Sequence, residues 1–489
     1  MKRRMKLNLI TVLLLLINVF AGHSQSPSPN FIIIFADDLG YGDLSCYGNP
    51  TILTPCLDEM ASEGMRFSQF YVGSAICTPS RSALLTGRLG IRTGIHAGVR
   101  GTPSVFNTKS ASGLPLKEIT IAEMLKTKGY KTGIIGKWHL GHLAEFLPPG
   151  QGFDFWFGLP YSNDMGKIAT TRLDPGNPKA TAPRPDVPPL PLYRNNKVIE
   201  EEPDQHYLTK RYTEEAINFI KKSKDKPFFL YYANNFPHVP LYVSPAFEGK
   251  TKRGLYGDAI AELDWSVGQL LKTLKDLKID KNTLVIFSSD NGPWLTQLDH
   301  GGSAGMLYGG KHSTYEGGMR VPAIAWWPGK IKANLVSTAL ATTMDFLPTF
   351  AKLSGAALPK DVILDGVDIS DLLFSRKDEV RDVIYYYFNA DLYAVRKGQW
   401  KAHFITHFGF SPEAPVLHKE PLLYNIDADP SEKYNVANQY PDIIDDLRKE
   451  YEKQNSIVPA PSELIKTLPG KDGTTLPGED KGKQRKEKK

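Results

Sequence analysis

The chain has 489 residues, enough for a large core domain and a smaller appended one. Hydrophobic residues make up 41% and charged residues 23% of the composition, which is ordinary for a globular enzyme. The net charge of +6 comes from basic residues at the two ends, so the body of the chain is near neutral. This distribution argues against a nucleic-acid-binding surface, and we expect no nucleic-acid partner.

The first 25 residues predict a signal peptide. A basic start (MKRRMK) precedes an apolar run over residues 9–21, and small and polar residues follow it. The apolar run is too short for a comfortable membrane span, so removal of the segment is favoured over its alternative, a retained anchor. We therefore expect an exported protein, periplasmic or extracellular, without a stable membrane anchor.

Short apolar runs then alternate with helical patterns, which is typical of an α/β sheet. Strands are predicted at residues 31–35, 131–135, 227–232 and 283–288. Their nearly continuous apolar character indicates burial on both faces of a sheet. Helices are predicted at 54–64, 121–128 and 256–277, the first with a threonine cap before Pro55.

The pattern changes beyond residue 375. Three successive antiparallel strands are predicted at 383–388, 392–396 and 400–405, and an amphipathic helix at 441–454. Before that point, the proline-rich residues 183–192 predict a surface excursion. The predicted organisation is a signal peptide (1–25), a catalytic domain (26–374), a C-terminal antiparallel-sheet subdomain (375–468) and a disordered basic tail (469–489).

Polar residues follow each of the four predicted core strands. The clusters are Asp37-Asp38, Lys137-Trp138-His139, Pro237-His238 and Asp290-Asn291. In an open α/β sheet, ligands bind in the crevice beyond the carboxyl ends of the strands. We therefore expect the four clusters to form one site.

Four of these residues offer only oxygen donors, which suit Ca²⁺ or Mg²⁺ rather than zinc. They are Asp37, Asp38, Asp290 and Asn291. Adjacent acids are also common at surface turns, and Asn291-Gly292 is equally compatible with a hairpin turn. The metal prediction therefore depends on the buried strands that precede both pairs.

Three cysteines are present, which argues against a disulfide scaffold. Cys46 and Cys56 either pair or, more simply, stay as buried thiols. Cys77 opens the run C-T-P-S-R, in which Pro79 predicts the first turn of a helix. Free amides at such a helix N-terminus attract an anion.

The run from Cys77 to Arg81, with the extension LLTGR at 84–88, resembles the signature of the sulfatase family. In that family the C-x-P-S-R motif directs oxidation of the cysteine to formylglycine. Other blocks follow in the family's order: FADDLG (35–40), GKWHLG (136–141), SDNG (289–292), GGK (309–311), EGGMRVP (316–322) and LYNI (423–426). The resemblance spans about residues 30–436 and is nearest to the arylsulfatase A and N-acetylgalactosamine-6-sulfatase branches. Cys56 departs from it, because the family usually has asparagine there.

The resemblance implies an alkaline-phosphatase-like mixed sheet between helices. It also implies one Ca²⁺ per chain, held by the formylglycine derived from Cys77 together with Asp37, Asp38, Asp290 and Asn291. The hydrated aldehyde would attack sulfur and expel the alcohol. A formylglycine-generating enzyme is the implied maturation partner.

The resemblance also implies roles for the remaining conserved-motif positions of this chain. Arg81 would position the formylglycine, and Lys137 and Lys311 would bind the sulfate oxygens. His238 would be the general acid toward the alcohol, and His139 the base that releases sulfate. Taken singly, each lysine is more often a solvated surface charge and each histidine more often structural.

The sequence gives weaker signals for the residues that recognise the substrate. Seven loop residues are candidates for contacts with sugar hydroxyls or a second anionic group: His96, Arg100, Asn163, Asp164, Trp294, His300 and His312. We expect a sulfated carbohydrate or aryl sulfate as substrate. A phosphomonoester or phosphonate hydrolase on the same scaffold is the alternative, and a non-enzymatic glycan-binding protein is a third reading that predicts a missing site residue.

Overall fold

The computed structural model describes residues 28–96, 105–167, 186–411 and 413–458. The predicted signal peptide, the predicted basic tail and Arg100 lie outside these ranges. No helix within them combines the length and the apolar character that crossing a membrane requires.

Sixteen strands and ten α-helices organise the described residues. The strands are β1 (Asn30–Ala36), β2 (Met65–Phe67), β3 (Phe70–Tyr71), β4 (Lys131–Gly136), β5 (Phe155–Gly158), β6 (Pro191–Arg194), β7 (Lys197–Glu201), β8 (Phe228–Ala233), β9 (Thr283–Ser289), β10 (Ala323–Trp326), β11 (Leu335–Ser337), β12 (Ala341–Thr342), β13 (Val383–Phe388), β14 (Asp391–Lys397), β15 (Trp400–Thr406) and β16 (Val416–Asn425). The helices are α1 (Pro55–Ser62), α2 (Cys77–Thr86), α3 (Gly90–Thr93), α4 (Ile121–Lys126), α5 (Leu208–Ser223), α6 (Leu255–Asp276), α7 (Glu316–Met319), α8 (Phe346–Ser354), α9 (Ser370–Leu373) and α10 (Pro441–Ile457).

The core is a ten-stranded mixed sheet with the order β11-β2-β10-β9-β1-β8-β4-β5-β6-β7. The four strands predicted from the sequence are neighbours at its centre, because β1 pairs in parallel with β8 and β9, and β4 pairs in parallel with β8. Strand β10 runs antiparallel to β9. The predicted α/β sheet is therefore confirmed, and the carboxyl ends of four parallel strands lie side by side.

Burial explains why these runs form central strands. Phe31, Ile33 and Phe35 of β1 pack into one hydrophobic layer with helix α8, and Ile32 and Ile34 pack into the other with helix α6. Each such side chain contributes about 1.5–3 kcal/mol when it leaves water. A run that is apolar at every position is stable only where helices cover both faces.

The C-terminal part forms a separate four-stranded antiparallel sheet, in the order β13-β14-β15-β16. Its first three strands and helix α10 were predicted. The long strand β16 was not, because its first half, VLHKE, is mostly exposed and lacks an apolar alternation. Ile444 and Leu447 of α10 pack with Ala402 and Phe404 of β15.

Three smaller predictions need correction or completion. Thr54 makes no side-chain cap on α1, since its hydroxyl bonds the Ser45 hydroxyl at 2.7 Å. The predicted surface excursion ends in strand β6, where Leu192 is fully buried. Cys46 and Cys56 are both free thiols, so the reading without a disulfide is confirmed.

Candidate active site

The polar clusters after the four central strands meet at one edge of the sheet, which we call the rim. The register aligns Ala36 of β1 with Ser289 of β9, and Gly136 of β4 with Ala233 of β8. The next residues of each chain segment therefore emerge at the same level. The predicted site residues on these segments are all buried: Asp37, Asp38, Lys137, His139, His238, Asp290 and Asn291.

Cys77 is the first residue of helix α2 and is only 1% exposed. Its Sγ donates to Asp37 Oδ1 at 3.4 Å. Burial, with the negative charge of Asp290 as a further cause, raises the pKa of the Cys77 thiol well above its ordinary value. The unmodified side chain is therefore a neutral thiol and a poor nucleophile, although its position faces the acids of the rim.

Four potential ligand atoms, from Asp37, Asp38, Cys77 and His238, all lie within 4.8 Å of one another. Asn291 joins this group, because its Nδ2 donates to Asp38 Oδ1 at 2.7 Å. The Oδ1 of Asn291 is buried and has no hydrogen-bond partner among the described residues. A buried, unpartnered amide oxygen beside carboxylates is a ready ligand for a cation.

Asp290, directly after β9, contacts the same group of potential ligands. Its Oδ1 accepts from the Asp38 amide at 3.1 Å. Asp38 takes a left-handed backbone conformation, with φ of 62°, which turns its amide toward Asp290. The predicted ligand residues are thus brought together, and an oxygen-rich set with this charge fits Ca²⁺ or Mg²⁺.

Three buried cations face the three acids, and we call these six residues the rim cluster. Arg81 donates through Nε and Nη2 to Asp290 Oδ2, at 3.0 and 2.8 Å. The Nζ of Lys137 lies 2.5 Å from Asp37 Oδ2, and the Nζ of Lys311 lies 2.9 Å from Asp38 Oδ2. Charges this deeply buried persist only when paired in this way.

The electrostatics of the rim cluster act in opposite directions on two of its acids, because burial and the charge of Asp37 raise the pKa of Asp290. Burial would raise the pKa of Asp37, but the positive charges of Lys137, His238 and Arg81 bring that pKa below its ordinary value. Burial alone would lower the pKa of Lys311, and the Asp38 carboxylate raises it instead. Lys311 is therefore a fixed positive charge at the rim.

His139 is arranged as a neutral base. Its Nε2 donates to the Phe106 carbonyl at 2.9 Å, and its Nδ1 is buried without a hydrogen-bond partner among the described residues. Burial, followed by the charges of Lys137 and Arg81, lowers the pKa of His139 well below its ordinary value. The free lone pair on Nδ1 is therefore available at neutral pH.

His238 also lies next to the acids of the rim cluster. Its Nε2 is 3.6 Å from Asp38 Oδ2, and its Nδ1 contacts the Val239 carbonyl. The Ser162 hydroxyl lies 3.4 Å from both ring nitrogens of His238 and 3.3 Å from Lys137 Nζ.

Ser162 is a site residue that the sequence reasoning missed. It follows β5, whose parallel pairing with β4 carries its carboxyl end to the same rim. The apolar run FWFG before P-Y-S was a usable signal, because it marks a fifth strand ending in a polar residue.

The predicted recognition residues are only partly assembled. Trp294 lies beside His238, with ring centroids 5.5 Å apart. The charges of His238, Lys137 and Lys311 lower the pKa of Asp164 against the effect of burial, which places that acid near the same cations. Asn163 instead donates its amide to Gln205 and Pro240, so it holds a loop.

The three remaining histidine candidates differ in surroundings. Burial and the charge of Lys311 lower the pKa of His312 to about 3, so it is a neutral ring next to the rim. His96 is buried three residues after α3. His300 is half-buried at the end of a short 3₁₀ segment.

Buried acids beside an unpartnered amide oxygen, three paired cations and a helix N-terminus lie together at the strand ends of an α/β sheet. This combination is typical of a hydrolase for esters of tetrahedral oxyanions. The chain belongs to the sulfatase family. The family model described as Sulfatase matches residues 29–356, and that for the C-terminal region of aryl-sulfatase matches residues 379–477. It is accordingly a sulfuric ester hydrolase.

Relatives and solved structures agree with this assignment. The chain is 42% identical to arylsulfatase A of Homo sapiens over 460 residues, which is 89% of each protein. It is 38% identical to N-acetylgalactosamine-6-sulfatase of Canis lupus familiaris over 491 residues, 93% of this chain and 91% of that one. The crystal structure of the PsFucS1 sulfatase from Pseudoalteromonas sp. superimposes with a TM-score of 0.78 at 30% identity, covering 90% of this chain and 92% of that one. The predicted family and fold are confirmed.

Proposed function

We propose that this chain hydrolyses sulfate esters of carbohydrates, with a formylglycine made from Cys77 and one bound Ca²⁺. The observation that carries the proposal is the convergence of Asp37, Asp38, Cys77 and His238 on one buried point. The three cations of the rim cluster surround that point. Such a site neutralises a tetrahedral anion while it holds the nucleophile in place.

Asp37, Asp38, Asp290 and Asn291 would hold the Ca²⁺ together with the modified Cys77. When bound, the cation and the hydrated aldehyde supply an oxygen nucleophile for attack on sulfur. Arg81 fixes the geometry, because its two donated hydrogen bonds lock Asp290 in place. Its ring-face contact with Phe35, 5.6 Å from the centroid, restrains the guanidinium further.

Lys137 and Lys311 are the groups proposed to bind the sulfate oxygens. Each is buried and carries three donors, of which a single carboxylate uses only part. A cation bound among the acids would weaken the ion pairs that these acids form with Lys137 and Lys311. The two lysines would then bind a second anion, the sulfate group, more readily. Ser162 lies between Lys137 and His238, which suits it to orient both toward the ester.

The two histidines are proposed to act at opposite steps. His238 would donate a proton to the departing alcohol oxygen. His139, neutral and with a free Nδ1, would accept the proton when sulfate is released. These assignments put the acid and the base on different strand ends of the rim.

A sulfated carbohydrate is the proposed substrate class. The relative from Canis lupus familiaris is named for N-acetylgalactosamine 6-sulfate, and a predicted exported enzyme meets polysaccharides. Maturation would require a formylglycine-generating enzyme that recognises the motif at Cys77.

Mass spectrometry of the peptide containing Cys77, from protein made in a host with the maturation enzyme, tests the nucleophile. A loss of about 18 Da relative to cysteine is expected. The same preparation is then assayed on p-nitrophenyl sulfate and p-nitrophenyl phosphate. Fully modified protein that prefers the phosphate would replace the proposal with the phosphomonoesterase alternative, and unmodified but active protein would refute the formylglycine.

A further inference from the structure

The C-terminal sheet contributes an aromatic ring to the rim. Phe410 lies at the tip of the hairpin between β15 and β16 and stacks on Trp294, with centroids 5.0 Å apart and planes 18° apart. The ring of His312 lies 4.2 Å from Phe410. We call Trp294, His312 and Phe410 the aromatic shelf.

The shelf directly adjoins the proposed catalytic groups. The Nζ of Lys311 lies 4.4 Å from the centroid of Trp294, and the ring of His238 lies 5.5 Å from it. A Cβ at Gly409 would lie 3.6 Å from the Lys311 carbonyl, so the hairpin tip rests on the backbone of that lysine. The shelf and the sulfate-binding cations therefore share one wall.

The hairpin tip is held in this position by its own hydrogen bonds. The Ser411 amide donates to the Phe408 carbonyl at 2.8 Å. The His407 ring lies within 3.2 Å of the carbonyls of Ser411 and Glu413. Phe410 nevertheless keeps 41% of its surface exposed. A partly exposed aromatic ring next to the buried cations that are proposed to bind sulfate suits a ligand-binding surface.

We propose that the aromatic shelf binds the sugar ring that carries the sulfate ester, by stacking a C–H face of that pyranose on Phe410. This inference rests on the proposed function, since His238 is taken to protonate the departing alcohol oxygen. The ring bonded to that oxygen must then lie beside Trp294 and its neighbour Phe410. A pyranose suits the wall, because its apolar face meets the rings while its hydroxyls meet Lys311 and His312.

Phe408 provides a matched control on the same hairpin. It is 50% exposed and packs against Tyr308, with centroids 5.8 Å apart. Phe408 belongs to the same hairpin tip but not to the aromatic shelf, so Phe408→Ala controls for the loss of an exposed ring from the tip. Phe410→Tyr and Phe410→Trp keep an aromatic face at the shelf itself.

Binding is measured by saturation-transfer difference NMR on the unmodified protein, with a panel of 6-sulfates of galactose, N-acetylgalactosamine and glucosamine and sulfated fucose. We expect transfer to ring C–H protons in the wild type and the Phe408→Ala variant, and its loss in Phe410→Ala. In modified enzyme, Phe410→Ala should raise KM for the saccharide sulfate about tenfold, with kcat changed less than twofold. Phe410→Trp should restore the wild-type KM.

The shelf is refuted if no panel member binds, if Phe410→Ala binds like the wild type, or if Phe408→Ala loses as much. These outcomes are separate from those for the proposed function. Wild-type protein that binds saccharide through Phe410 but cleaves no sulfate ester would support the shelf and refute the proposed function. Active enzyme with saccharide binding independent of Phe410 would support the proposed function and refute the shelf.

Discussion

The rim cluster has a counterpart in a second group of buried charges, between the large sheet and the C-terminal sheet. We call it the interface cluster; it consists of Glu316, Glu432, Arg320, Arg396 and Lys401. All five residues are buried, as in the rim cluster. The two groups therefore match in burial and in the mixture of charges.

They differ at one carboxylate oxygen, Oδ1 of Asp37, and at the unpartnered amide oxygen of Asn291. Glu316 accepts from Tyr71, Tyr386 and Lys401 at 2.6, 2.8 and 3.0 Å. By contrast, the partners of Asp37 Oδ1 among the described residues are the weak thiol donor of Cys77, at 3.4 Å, and an arginine nitrogen at 3.7 Å. Incomplete satisfaction, rather than buried charge itself, marks the group arranged for a ligand.

The largest expected effect comes from removing the Cys77 side chain. Cys77→Ala should lower kcat/KM for p-nitrophenyl sulfate by at least about 10⁴-fold, because the proposed nucleophile is gone. Its melting temperature should stay near that of the wild type. Cys77→Ser, which retains a hydroxyl without the aldehyde chemistry, should turn over at most once. Multiple turnovers by either variant would contradict the assignment.

The interface cluster should respond in the opposite way. Glu316→Gln removes the carboxylate that Lys401, Arg396 and Arg320 share and leaves one acid, Glu432, for the buried cations Lys401 and Arg320. The free energy of unfolding should fall by about 3–5 kcal/mol, as for other broken buried ion pairs. Chemical denaturation measures this loss. Asp446→Asn, which breaks an exposed pair with Lys397, is the control and should change stability by less than about 1 kcal/mol.

The stability of the wild type and of Glu316→Gln should also depend differently on pH. Burial opposes ionisation of Glu316, but Lys401 and Arg396 hold its pKa far below the ordinary value of 4.5. A lowered folded-state pKa means that the unfolded chain takes up the proton first, so this stabilisation is present above about pH 4.5 and is lost as the pH falls. Wild-type stability should therefore fall more steeply below that pH than the stability of Glu316→Gln.

Removal of the metal by a chelator should affect the rim cluster and not the interface cluster. Dialysis against EGTA is expected to lower turnover about 100-fold, since the proposed Ca²⁺ supplies several kcal/mol of transition-state stabilisation. Added Ca²⁺ should restore activity, and a 100-fold excess over its Kd should stabilise the fold by about 2.7 kcal/mol. Full activity in verified metal-free protein would rule out the metal's role.

Ser162→Ala is the smallest change proposed. Loss of one neutral hydroxyl between Lys137 and His238 should reduce kcat/KM about tenfold, with stability within about 1 kcal/mol of the wild type. Steady-state kinetics and thermal unfolding together check both parts. A stability loss of several kcal/mol would mean that Ser162 is structural, like the residues of the interface cluster.

The sequence was sufficient for the centre of the fold. Runs such as FIIIF predict buried strands because every position is apolar, and the acids that follow them predict the rim. Strand β16 and the position of Phe410 were not predictable in this way. The exposed half of β16 lacks the alternation of apolar and polar residues that marks a strand in a sequence. The contact of the hairpin tip with Lys311 depends on packing between residues about 100 positions apart, which sequence patterns do not report.

The burial of Cys77 has a consequence for the timing of the proposed maturation. A thiol 1% exposed at the base of the site is out of reach for another enzyme's active site, so its proposed oxidation must precede folding. Asp290, an acid of the rim cluster, is made about 200 residues after Cys77. At ordinary synthesis rates this leaves roughly 10–40 s during which the motif exists as open chain. The proposed modifying enzyme would act in that interval, before the site is assembled.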